Sequence, residues 1–337
     1  LDSITSIPVS ASPGATLQDS TTGLKFVFPD GGSGTLETAE IVSSVSAPVP
    51  GKGYYINYSQ SREINLVFAP KSTEQVLVYG YGTSSAVMSD YTNRYNTWVS
   101  IAPTVLPDGT LSFELLMPVA VQAGRMSGIS AKGYEGFKHY WVGLISQDMP
   151  EFDKLNAYRG EARAMIGQYI DALPESRKAS VRADVDGDMK WYLSFGDDAY
   201  NAFWAYGYVA SVNRYNITIN KNYTNSKDIA SHIAHETGHY MYHVLNGNST
   251  YLTAYSQMPY NTKNHGLSEV NDRKSMFIEE PAYFSQYFQT GTVGALDPTE
   301  PRGLLITTLP SKYDAPSVEG FGCVMLAALH RTAGTIA

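Results

Sequence analysis

Apolar and polar residues alternate in short runs from about Gly23 to Gly133, and this two-residue period constrains the fold of the chain more than any other feature. The clearest runs are Leu24-Lys25-Phe26-Val27-Phe28, Tyr54-Tyr55-Ile56-Asn57-Tyr58, Ile64-Asn65-Leu66-Val67-Phe68 and Val76-Leu77-Val78-Tyr79. Successive side chains of an extended strand leave on opposite faces, so each run has one face to bury against a second layer. Turn residues separate the runs, as at Pro29-Asp30-Gly31 and Pro107-Asp108-Gly109. Many short strands at this spacing predict an antiparallel all-β sandwich over 23–148, entered through a Ser-, Thr- and Pro-rich linker or edge segment at 1–22.

After Met149-Pro150 the period changes. Leu155, Tyr158, Ala162, Met165, Ile166 and Ile170 recur at helical spacing, which predicts a long helix and the start of a second domain over 149–337. A chain of 337 residues can bury two cores. Its net charge of −8 excludes a protein that grips nucleic acid mainly through the phosphate backbone. No apolar run approaches the roughly 20 residues that cross a bilayer as a helix. The single cysteine, Cys323, excludes an intramolecular disulfide and a thiolate metal cluster, and its neighbours Val324, Met325 and Leu326 read it as a buried structural thiol. The chain opens at Leu1 rather than at methionine, as a trimmed product does, so a secreted or cell-surface location is expected.

The residues that carry chemistry are His235-Glu236-Thr237-Gly238-His239, inside a stretch from Ser226 to Leu245 that reads as one amphipathic helix. Asn225 and Ser226 offer N-caps, and Asp228 suits the positive end of the helix dipole. Ile229, Ile233, Met241, Val244 and Leu245 form the apolar stripe, and Asn246-Gly247 supplies the stop. Two imidazoles four residues apart leave the same helical face and can reach one zinc ion, while the carboxylate of Glu236 faces a water on that ion. That is the core of a metal-dependent hydrolase site. His232 and His243 share the stripe, but they stand about 16 Å apart along the axis, too far for one ion to gather with the central pair. Packing or hydrogen bonding is their reading.

A catalytic zinc takes three protein ligands and keeps a fourth position for water, so one ligand remains to be found. A metzincin pattern needs glycine at 242 and histidine at 245, where this chain has Tyr242 and Leu245, and is excluded. The better source is Phe277-Ile278-Glu279-Glu280-Pro281-Ala282-Tyr283-Phe284, the start of an aromatic helix that continues through Tyr287 and Phe288. On these residues the second half resembles the gluzincins, the thermolysin-like and aminopeptidase-like metallopeptidases. Their third ligand is a glutamate on a helix downstream of HExxH, often within Glu-Gly-x-Ala-x-Phe/Tyr. Placing Glu279 at the ligand brings Ala282 and Phe284 into step, with Glu280 as the neighbouring alternative and Asp272 as a more distant one. Three residues depart from the pattern. Glu280 stands where glycine is usual, Pro281 belongs in a first turn or at a kink, and Tyr283 stands where an aspartate often orients a histidine.

The alternating runs and the resemblance together give a multidomain protein: an Ig-like sandwich, read from the strand pattern, followed by a mainly helical α+β metallopeptidase domain of gluzincin type, which the resemblance implies. It implies that His235, His239 and Glu279 hold one catalytic zinc, and that Glu236 takes a proton from the water attacking a peptide carbonyl and passes it to the leaving amine. A donor to the oxyanion would come from Tyr283, Tyr287, His265, Tyr313 or His330, and the strand Tyr215–Asn220 would run beside the cleft. The expected substrate is an extracellular protein or glycoprotein, with the sandwich as a docking, anchoring or spacer module. The alternative is a catalytically silent binding or adhesion protein on a peptidase scaffold. Asp184-Val185-Asp186-Gly187-Asp188 would suit a calcium ion by composition, but its spacing is not that of an EF-hand and it reads as a solvated acidic turn.

Overall fold

The computed structural model describes residues 4–42, 47–60, 64–83, 96–115, 137–186, 191–196, 202–209, 212–220, 226–246, 282 and 284–286. Contacts between Cα atoms divide the chain into two compact units. The first is Leu1–Asn156 with Tyr192–Asn222, the second Ala157–Trp191 with Tyr223–Ala337.

The first unit contains two antiparallel sheets built from β1 (Thr5–Ala11), β2 (Ala15–Gln18), β3 (Lys25–Phe28), β4 (Gly32–Ile41), β5 (Gly51–Tyr58), β6 (Ile64–Phe68), β7 (Glu74–Thr83), β8 (Asn96–Ile101), β9 (Pro103–Val105), β10 (Leu111–Leu115) and β11 (His139–Ser146). One sheet has the order β1-β4-β5-β11-β7-β8 and the other β2-β3-β6-β10-β9. Residues 5–18 therefore lie in β1 and β2, the outermost strands of the two sheets. Alternation decides which side chains meet between the layers. Leu36, Ile56, Val78, Tyr140 and Val142 from one sheet join Phe26, Phe28, Ile64, Leu66 and Phe113 from the other in a single apolar cluster. Gly80 is required where β7 passes Phe137, because a Cβ there would stand 2.1 Å from the ring.

The strand β7 is buried on both faces. Val76 and Val78 enter the cluster, while Leu77 and Tyr79, pointing the other way, are also 0% exposed. A third sheet, of order β12-β14-β13, meets the sheet of β7 at Tyr79 and β8, with β12 at Trp191–Gly196, β13 at Ala202–Val209 and β14 at Val212–Asn220. The Tyr79 hydroxyl donates to the Phe195 carbonyl at 2.6 Å, and β8 packs beside β13 and β14. Two-sided burial is why β7 reads as a nearly continuous apolar run rather than a clean alternation.

The second unit begins within α1 (Pro150–Asp171) and holds α2 (Glu175–Asp186) and α3 (Ser226–Asn246). Pro150 suits a first helical turn, where its missing N–H costs nothing, and Glu151 and Asp153 sit at the positive end of the dipole. Leu155, Tyr158, Ala162, Ile166 and Ile170 form the buried stripe. No described helix is long and apolar enough to cross a membrane.

One expectation is corrected. Over the whole chain the described residues are mostly β-sheet, 43% in strands against 32% in helices, which does not fit a mainly helical gluzincin-type domain; after residue 149, three strands also interrupt the helices. The physical reason is local composition. Ala202-Phe203-Trp204-Ala205-Tyr206-Gly207-Tyr208-Val209 and Val212-Asn213-Arg214-Tyr215-Asn216-Ile217-Thr218-Ile219 are dense in aromatic and β-branched residues, which favour a pleated sheet. They pair antiparallel from Ala202↔Ile219 to Val209↔Val212. The strand expected beside the cleft groups with the sandwich unit, whereas α3 belongs to the other.

Candidate metal and general-base site

The helix α3 buries more of its circumference than an amphipathic stripe requires. Ile229, Ile233, Ala234, Tyr240, Met241 and Val244 are buried, and so are two polar residues between them, Glu236 at 6% exposure and Thr237 at 0%. Neither polar side chain is satisfied. Glu236 Oε2 and Thr237 Oγ1 are enclosed and have no hydrogen-bond partner among the described residues. Buried polar atoms are nearly always paired, since each one left bare costs about 1–3 kcal/mol.

His235, beside Glu236, is half-buried. The backbone is helical from 226 to 246, so positions 235 and 239 stand one turn apart, about 6 Å along the axis and rotated by about 40°. The side chain of His239 lies outside the described residues, as does that of His243, while His232 is half-buried on α3. Glu279, Glu280, Asp272, Tyr283, Tyr287, His265, Tyr313, His330 and Cys323 also lie outside them. Among the described residues no three metal-ligating side chains converge. Positions 184 and 186 fall in the last turn of α2, about 200° apart around the helix, and Asp188 lies outside the described residues.

The second unit ties α3 down at both ends. The Arg177 guanidinium of α2 donates to the Leu245 carbonyl at 3.2 Å, meeting one of the last carbonyls of the helix with a positive charge. Toward the other end, helical residues 284–286 pack on α3. Ser285 is fully buried and its hydroxyl donates to the Ala234 carbonyl at 2.5 Å, while the Gln286 amide donates to the Ser231 hydroxyl. Tyr169 of α1 is hydrogen-bonded to Ser285 as well, and enclosure of its phenol end pushes its pKa up to about 12, the Ser285 bond opposing that rise. Neither Ser285 nor Tyr169 follows from the motif. The available signal was the spacing Ala282, Ser285, Gln286, which marks one helical face.

Comparison of the chain with protein-family models, with curated proteins and with solved structures returns no match. The resemblance to gluzincins thus rests on the two short motifs at 235–239 and 279–284.

Proposed function

We propose that the chain is a zinc-dependent peptidase that hydrolyses peptide bonds of extracellular proteins or glycoproteins, with Glu236 as its general base. One observation carries this reading: a carboxylate oxygen at position 236, sunk into the fold and without a partner among the described residues, beside a half-buried histidine on a helix with a second histidine position one turn on. A carboxylate kept for packing or stability would be paired, because an unpaired one costs the fold free energy. The donor chemistry fits zinc, with His235, His239 and Glu279 as the residues that would hold it. Bound zinc supplies Lewis acidity and a water that loses its proton near neutral pH. Glu236 accepts the proton on its bare oxygen as the water attacks, then delivers it to the departing amine. The sandwich unit serves as a docking, anchoring or spacer module.

The test combines elemental analysis of the full chain with cleavage of fluorescently labelled casein. Wild type is expected to carry about one zinc per chain, and Glu236→Gln to keep the metal and lose cleavage. Glu279→Ala is expected to lose zinc, Glu280→Ala and Asp272→Ala to retain it. Equal cleavage by wild type and Glu236→Gln, or a wild type that cannot be loaded with zinc, sinks the proposal.

A further inference from the structure

We infer that Ser285 is a positioning residue of the α3 site: it fastens helical residues 284–286 to the α3 backbone at the residue before His235, and so holds the turn that presents His235 and Glu236. The inference rests on the zinc reading above. Its own basis is the meeting of three elements at one hydroxyl. Ser285 is 0% exposed, donates to the Ala234 carbonyl at 2.5 Å, and is bonded to Tyr169 of α1. Ala234 already lies within a helix, where its carbonyl serves the backbone ladder, so Ser285 adds a second donor to a peptide adjoining a ligand position.

A single bond would leave the segment free to pivot. The Gln286 amide, bonded to Ser231 three residues earlier on α3, provides a second point of attachment. Two fixed points restrain both sliding and rotation of the segment along α3. Anchoring at 285–286 therefore bears directly on the turn of α3 from Ser231 to Glu236, which carries His235 and the proposed general base. A hydroxyl whose only task was to fill space would do so less well than alanine, the residue one turn earlier at 282, which is equally buried.

The experiment measures zinc affinity of the full chain by competition with a chromophoric chelator, alongside thermal melts of the metal-free protein. Variants are Ser285→Ala, Gln286→Ala and Tyr169→Phe, with Val185→Ala as a control that removes buried packing from α2. Ser285→Ala is expected to weaken zinc binding about 10–100-fold, the usual cost of losing a residue that orients a ligand, and the other two by less. Val185→Ala is expected to lower the melting temperature and leave zinc affinity unchanged. If Ser285→Ala fails to fold, Gln286→Ala and Tyr169→Phe carry the measurement. Wild-type affinity in all folded variants of the anchor overturns the inference and leaves the zinc reading standing, as does an equal loss in Val185→Ala. A wild type without zinc affinity overturns both.

Discussion

Two buried carboxylates, Asp19 in the sandwich unit and Glu236 on α3, show how differently one chemical group is treated in the two regions. Asp19 is 1% exposed, yet its oxygens accept from the Thr21 amide at 2.8 Å, the Thr22 hydroxyl at 2.5 Å and the Thr38 hydroxyl at 2.6 Å. Burial alone would raise its pKa, but the hydrogen bonds from Thr22, Thr38 and neighbouring amides outweigh that and hold it below the ordinary 3.8. Glu236 is almost as deeply buried, at 6% exposure, and one of its oxygens has no partner among the described residues. Asp19 therefore stabilises, joining the β2–β3 turn to β4, whereas on the proposed function Glu236 costs stability and holds an acceptor ready for a proton. The same carboxylate-to-amide change at the two positions should have opposite consequences.

The largest effect belongs to Glu236→Gln. Removing a general base costs about 10²–10⁴-fold in rate, so kcat for casein cleavage is expected to fall by that factor. The melting temperature of the metal-free protein should hold or rise, because a bare buried carboxylate has been exchanged for a neutral group. A variant that both cleaves normally and melts lower would place Glu236 with Asp19 as a structural group.

Asp19→Asn runs the other way. The amide cannot accept from all the donors now aimed at Asp19, so the loss is expected at about 1–3 kcal/mol by urea unfolding, with kcat unchanged. The acid limb follows with its sign. The folded pKa is lowered, so this stabilisation is complete above 3.8 and is lost as pH falls below that value through the folded pKa. Asp19→Asn should remove that part of the pH dependence, and an unchanged acid limb would break the comparison.

How much of this was legible in the sequence varies with the range of the interaction. The strands at 25–28 and 64–68 and the helix at 226–246 follow from local period, caps and stops, which act within one element. The place of Glu236 on α3 was legible for the same reason, since it rests on spacing within one helix. The second face of β7 was not, because Tyr79 there bonds to Phe195, a strand residue more than a hundred positions further along the chain. Asp19 lies in an Asp-Ser-Thr-Thr-Gly turn whose local bonds are readable, but its bond to Thr38 depends on how the sheets meet. Ser285 shares that limit: its spacing from Ala282 marks a helical face, but its two partners sit on α1 and α3, which no local spacing reveals.

Tyr169 gives the helical unit an alkaline limb to set against the acid limb of the sandwich. Its folded pKa is raised from 10 to about 12, so its contribution is complete below pH 10 and is lost as pH rises through about 12. Tyr169→Phe should flatten stability between those values by removing the group that must ionise. A wild-type slope in the variant would show that the phenol is not enclosed in solution.

The smallest expected effect tests whether burial, rather than charge, separates Asp19 and Glu236 from the rest. Arg177 is exposed on α2, and its guanidinium reaches the Leu245 carbonyl at 3.2 Å at the negative end of α3. Water can replace that donor in Arg177→Ala, so the desolvation cost that makes a bare atom expensive inside Glu236's surroundings does not arise. What remains is the attraction of a cation to the helix end, about 0.3–0.5 kcal/mol at a screened surface site. Urea unfolding should therefore show a loss of that size, shrinking further as salt is raised. A loss comparable to that of Asp19→Asn would mean that the α2–α3 contact holds the site helix as firmly as the threonines hold Asp19, and exposure would no longer mark the difference between the two regions.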